Sequence, residues 1–168
     1  MSPSPTSVSV VHPIPPFCAD GARVLILGSF PSVKSRESGF FYGHPQNRFW
    51  RVLAQVFEDA VPVSVEEKKA FLAAHGVALW DVIASCRITG SADSSIRDVV
   101  PNDIAALIKA NAIRAVFTNG KTAQALYDKH ILPTLGIRAV CLPSTSPANA
   151  AWSAEKLADA WRAVITEE

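Results

Sequence analysis

Apolar residues along the chain fall into two patterns: short unbroken runs and stripes at helical spacing. Residues 23–28, RVLILG, form a branched apolar run stopped by glycine, which predicts a strand buried on both faces. Phe49, Trp50, Leu53, Val56 and Phe57 recur on one face of a helix that starts near Asn47. Ser64 with Glu67 three residues on is a capping box, and it opens a second helix that stops at Gly76. Residues 77–80 predict a short strand, followed by an irregular stretch to Val100. Pro101 and Asn102 open a third helix ending around Asn111; 114–118 predicts a strand, 121–130 a helix and 137–142 a further strand. Ser153 caps a last helix with Leu157, Trp161, Val164 and Ile165 on one face. Strands alternate with helices at spacings that suit crossover connections. The pattern predicts a three-layer α/β/α sandwich around a mostly parallel four-stranded sheet, with no internal repeat.

Two segments stand outside this alternation. Residues 1–22 carry Pro3, Pro5, Pro13, Pro15 and Pro16 among serines, so an extended proline-rich arm, packed in part through the apolar Ile14 and Phe17, is expected ahead of a single domain over 23–168. Residues 29–46 read as a long loop, and loops of that length inside compact domains are usually functional. Composition narrows the class. With 168 residues, 49% apolar and 18% charged, the chain carries enough core material for one domain and is not a disordered segment. No apolar run approaches the roughly 18 to 20 residues that span a bilayer, and the N-terminus lacks the features of a signal peptide. A cytoplasmic protein without membrane contact is expected. Cys18, Cys86 and Cys141 lie too far apart for a disulfide framework or a metal site. The net charge of +1 conceals an imbalance: residues 23–51 hold five cations against one anion, and 153–168 two cations against four anions. A basic stretch of that kind suits a polyanion, and equally a solvated surface.

In open parallel sheets, ligands bind beyond the carboxyl ends of the strands. Four clusters fall there. Gly28, Ser29, Phe30, Pro31 and Ser32 form a tight turn after the first strand. FFYGHPQNRFW, 40–50, places Phe40, Phe41 and Tyr42 ahead of a helix, where stacking on a planar ligand is one use for them; Asn47 is a good helix cap, and His44 is a lone loop histidine. TNG, 118–120, presents Asn119, whose amide both donates and accepts and so matches one edge of a nucleobase, or else serves a turn. LPSTSPANA, 142–150, sets three hydroxyls between two prolines, a stiff loop able to hold a phosphate or simply to connect. Asp81, Asp93 and Asp98 show no metal-ligand spacing, and no other catalytic motif is present.

Taken in order, these clusters resemble the uracil-DNA glycosylase superfamily, and most closely its family 6, the hypoxanthine-DNA (deoxyinosine) glycosylases, with the mismatch-specific uracil-DNA glycosylases as cousins. GSFPS is similar to the first motif, a turn that holds the catalytic water. LPSTSPAN is similar to the second, the loop that grips DNA. PQNRFWRVL resembles the segment after motif one in the mismatch-specific branch, and VFTNGKTA lies where a base-reading residue is placed. Most of the superfamily has Asn or Asp third in the first motif; here the position is Phe30, which cannot position water, and the second motif lacks the histidine of the classical uracil enzymes. Family 6 shares both departures and relies on the asparagine of P-x-N-x-F-W, which is Asn47 in this chain.

The resemblance implies a monofunctional DNA glycosylase that flips a deaminated base, hypoxanthine first and mismatched uracil second, out of double-stranded DNA and hydrolyses its N-glycosidic bond. Asn47 would orient water through its amide carbonyl, and Asn119 would hydrogen-bond the base. Gly28, Ser29, Phe30, Pro31, Ser32 and Tyr42 would form the base pocket, and Lys34, Arg48, Lys121, Ser144, Thr145, Ser146, Pro147 and Asn149 would contact DNA. No metal or cofactor is implied, and a monomer, nucleoid-associated when engaged on DNA, is expected. Two other classes stay open on the residues alone: a non-catalytic nucleotide- or DNA-binding module of the same fold, and a serine hydrolase using Ser29 or Ser144.

Overall fold

β2 (Val24–Gly28) is the strand on which the architecture rests, and all five of its residues are buried. Alternation along it sends Val24 and Ile26 into one apolar cluster and Leu25 and Leu27 into another on the opposite face. The computed structural model describes residues 8–89 and 95–166. In it β2 pairs in parallel with β3 (Val77–Asp81) on one side and with β6 (Ala115–Asn119) on the other, and β7 (Val140–Leu142) lies beside β6. The sheet order is β3-β2-β6-β7.

Helices cover both faces. On the first lie α2 (Phe49–Val56), α3 (Val65–His75), α7 (Ala154–Trp161) and α8 (Ala163–Thr166), contributing Phe49, Trp50, Leu53, Leu72, Leu157, Trp161 and Val164 to the core. On the second lie α4 (Ile104–Ala110), α5 (Lys121–His130) and α6 (Leu132–Leu135), with Ile104, Ile108 and Tyr127 inward. The Ser64 hydroxyl accepts from the Glu67 amide at 3.0 Å and Gly76 closes α3 in the left-handed region, as the capping box requires. The sandwich and its four-stranded parallel sheet agree with the hydrophobic pattern.

Three features depart from the expectations. The stretch 29–46 is not wholly loop, because α1 (Val33–Ser38) occupies its middle, capped by Ser32 at one end and by left-handed Gly39 at the other. The stretch after β3 is not irregular: β4 (Ile83–Ile88) and β5 (Arg97–Pro101) form an antiparallel sheet with β1 (Val8–Val11). That sheet recruits the proline-rich segment, which is extended but, from Val8 onward, packs as part of the body. Val8 to Val11 register against Ile88 to Ser85, Phe17 bridges to Leu79, and Ile14 is 3% exposed. Prolines are tolerated beside β1 because it is an edge strand with one side free of ladder bonds. No helix among the described residues is long and apolar enough to cross a membrane.

Candidate active site

The carboxyl ends of β2, β3 and β6 and the loop after β7 converge on a cavity of about 400 Å3. Its walls include Gly28, Ser29, Phe30, Pro31, Ser32, Lys34, Tyr42, Asn47, Asn119, Ser144, Thr145, Ser146 and Pro147, together with His44 and Asp81. Lys121 and Asn149 lie outside it and border an adjoining cavity of about 600 Å3, which shares Asn119, Ser144 and Ser146. Arg48 lines neither.

Thr145, fully buried, ties the two asparagines together. Its backbone N–H donates to Asn119 Oδ1 at 3.0 Å, and its Oγ1 accepts from Asn119 Nδ2 at 3.0 Å. The same hydroxyl donates to Asn47 Oδ1 at 2.8 Å, and the Phe49 amide donates to that oxygen at 3.0 Å. The backbone amides can only donate, so both side-chain amides have one orientation. Two expectations change as a result. The Asn47 carbonyl oxygen, with two lone pairs, already has two donors, so the group it offers the cavity is its NH2, from which no described residue accepts. Thr145 is too buried and too fully engaged to reach a phosphate.

Asn47 also differs from a simple helix cap. Arg48 occupies the N-cap position of α2 without a side-chain bond, and Asn47, one residue earlier, caps the Phe49 amide. The Arg48 guanidinium is turned inward, donating to the carbonyls of Trp152, Asn149 (3.0 Å) and Ser146 (3.3 Å), while its amide donates to the Thr145 carbonyl at 3.0 Å. It fastens the loop instead of presenting a charge to DNA. Within that loop the hydroxyls of Ser144 and Ser146 accept from the amides of Ser146 and Ala148, which leaves each hydroxyl proton free to donate outward. Asn149 Nδ2 closes the loop on the Ser144 carbonyl at 2.9 Å.

The opposite corner of the cavity sets Asp81 and its partner His12, to which the sequence assigned no role, beside Gly28, Phe30 and Tyr42 of the expected base pocket. A Cβ on Gly28 would lie 2.3 Å from Asp81 Oδ1 and 3.2 Å from the Tyr42 hydroxyl, so only glycine lets these two approach the strand end. Asp81 Oδ2 accepts from His12 Nε2 at 2.7 Å, both side chains being nearly buried. His12 Nδ1 accepts from the Ile14 amide at 3.1 Å, which puts the ring proton on Nε2. No hydrogen bond from a described residue reaches Asp81 Oδ1. Tyr42 stacks on Phe49 with centroids 3.9 Å apart, at the non-glycine φ of 53°. Its hydroxyl is buried with no hydrogen-bond partner among the described residues. Burial first, and then the Asp81 charge, push the phenol well above its ordinary range against a smaller pull from Asn119, so it stays neutral and keeps its proton. Phe30 meets His12 edge-on at 5.7 Å and lies under the Arg36 guanidinium at 5.5 Å. Asp98 is exposed on β5 and lines neither cavity, and Asp93 lies outside the described residues. Among the described residues no group of three His, Cys, Asp or Glu side chains could hold a metal ion.

Comparison with known proteins finds relatives in one superfamily. The model of the uracil DNA glycosylase superfamily matches residues 15–165. A protein named hypoxanthine DNA glycosylase from Methanosarcina acetivorans is 33% identical over 148 residues, covering 87% of this chain and 92% of its own. One of the same name from Methanosarcina barkeri is 33% identical over 137 residues, 80% of this chain and 85% of its own. A solution NMR structure of a candidate uracil DNA glycosylase from Methanosarcina acetivorans superposes with a TM-score of 0.75 at 30% identity, over 90% of this chain and 96% of that one.

Proposed function

This chain belongs to the uracil DNA glycosylase superfamily and is a DNA glycosylase, and from that premise we propose that the base it removes is hypoxanthine, flipped from double-stranded DNA. The observation that carries the reading is the Asn47–Thr145–Asn119 network, which presents two preoriented amides on the cavity wall where the first motif, with Phe30, offers no acid. A base inside the stack cannot be reached, and a mispaired one costs least to extrude. As the glycosidic bond lengthens, the sugar gains oxocarbenium character and the leaving base gains negative charge. The remaining Asn119 amide hydrogen donates to that base. The Asn47 NH2 holds a water by its oxygen and leaves the second lone pair for the sugar carbon; as that bond replaces the glycosidic one, the proton the water loses neutralises the departing base anion. An amide is no base near neutral pH, so the contribution is placement and electrostatics.

Where the two cavities adjoin, the outward protons of Ser144 and Ser146 bind the DNA backbone, and Arg48 supports their loop from behind. Lys121 at the start of α5 and Lys34, exposed and 3.8 Å from Glu37, add positive charge near the mouth. Neither lysine has surroundings that would make it an amine nucleophile, so the sugar–phosphate chain stays intact. A non-catalytic binding module is not favoured, since the curated relatives carry the name of an enzyme. Ser144 has the Ser146 amide as its partner in place of a histidine. Matched duplexes with one deoxyinosine or one deoxyuridine, under single-turnover conditions, test the assignment. Free hypoxanthine is expected to appear faster than free uracil by about tenfold or more, with strand breaks only after alkali. Uracil released as fast as hypoxanthine, or breaks without alkali, would overturn it.

A further inference from the structure

The lactam edge of hypoxanthine presents an N1–H donor beside a carbonyl, and uracil presents the same pair. Adenine and cytosine present the reverse, a bare ring nitrogen beside an amino group. A pocket that accepts deaminated bases and refuses their parents needs a fixed acceptor for that N–H. The Asn47 carbonyl is taken by two donors, and the Asn119 carbonyl, held by the Thr145 amide, is a neutral acceptor with one lone pair left. Asp81 Oδ1 is the carboxylate acceptor on the cavity wall, and no described residue donates to it. We infer that Asp81 is a specificity-determining residue, accepting the ring N–H of the deaminated base at Oδ1 while His12 holds its other oxygen.

The inference rests on the glycosylase reading above and adds to it the group that tells a deaminated base from its parent. Three observations carry it. His12 can only donate at Nε2, because its Nδ1 is occupied by the Ile14 amide, so the carboxylate is fixed with one oxygen inward and one toward the cavity. An ionised carboxylate accepts only and cannot turn to suit a bare ring nitrogen, as an amide could. Beside Oδ1 the Tyr42 hydroxyl keeps a proton and has no acceptor, so this corner lacks both halves of a lactam at once, an N–H and a carbonyl oxygen. Adenine there would set a lone pair against a buried negative charge, which costs more than a merely absent hydrogen bond.

Asp81→Asn provides the test, because His12 dictates which way the new amide turns. Its carbonyl must take the Nε2 proton, and its NH2 then stands where Oδ1 stood, a donor in place of an acceptor. Single-turnover release is measured from duplexes with deoxyinosine and with deoxynebularine, whose purine base has a bare N1 and no carbonyl. Wild type is expected to favour deoxyinosine, and Asp81→Asn to shift the ratio toward deoxynebularine by about tenfold or more. An unchanged ratio in an active variant would overturn the inference and leave the glycosylase reading intact; a wild type that releases no hypoxanthine removes both. A second measurement needs no variant. Free hypoxanthine is expected to compete with cleavage by wild type and free purine not to, and equal competition would refute the role of Asp81.

Discussion

Thr145 shows how much one side chain organises. Thr145→Val keeps the shape and deletes the hydroxyl, leaving Asn47 Oδ1 short of a donor and Asn119 Nδ2 short of an acceptor. Single-turnover cleavage by the valine variant is expected to fall by about a hundredfold, the usual effect of losing a preorganised contact, while Thr145→Ser stays within a few-fold of wild type. Equal rates for the two would mean that the hydroxyl does not align the amides. Asn119 was legible as a candidate from residue type and the strand-end rule, and Asn47 from the resemblance, its own residue reading being a helix cap. Their link was not. In the S-T-S triplet nothing in the order of residues tells which hydroxyl turns inward, because a loop has no period. The Asp81–His12 contact joins positions 69 apart, one of them in a proline-rich segment where only the apolar Ile14 and Phe17 hinted at packing.

At the level of elements, strands and helices long enough to show a rhythm were legible: β2 from its unbroken apolar run, α2 from its stripe, α3 from its capping box. The missed ones are those whose rhythm is short or broken. α1 has six residues, under two turns, too few to display a stripe. β4 pairs with β5 through register shifts between Ile83 and Ser85 and again between Ser85 and Arg87, which break the alternation that marks a strand. β1 hides among prolines, yet the segment it opens delivers His12 to the site and Ile14 to the core. Ile14→Ala is therefore expected to cost about 2 to 5 kcal/mol in urea unfolding, as for a buried residue, where a detached arm would show no change.

For the molecule as a whole, the site exists because parallel strands end together. Gly28, Asp81 and Asn119 close three adjacent strands, and the α2 start and the loop after β7 complete the wall. Segments from Gly28 to Pro147 thus line one cavity, with His12 behind Asp81, and the sandwich holds them without any of the long-range contacts being visible in the linear pattern. Of the cations in the basic stretch 23–51, Lys34 lines the cavity and Arg36 lies over Phe30, while Arg23 sits at the far end of β2 and Arg48 is turned into the loop after β7, so only part of the charge imbalance falls beside the site. On the proposed reading, base removal depends on Asn47. Asn47→Ser retains an oxygen for the Phe49 amide but has no NH2 to hold water. The most direct test is single-turnover release of free hypoxanthine from a deoxyinosine duplex by wild type beside Asn47→Ser, with duplex binding and melting temperature recorded for both. The account predicts release by wild type and a rate lower by about a hundredfold or more in the folded, DNA-binding serine variant; release by Asn47→Ser within a few-fold of wild type would contradict it.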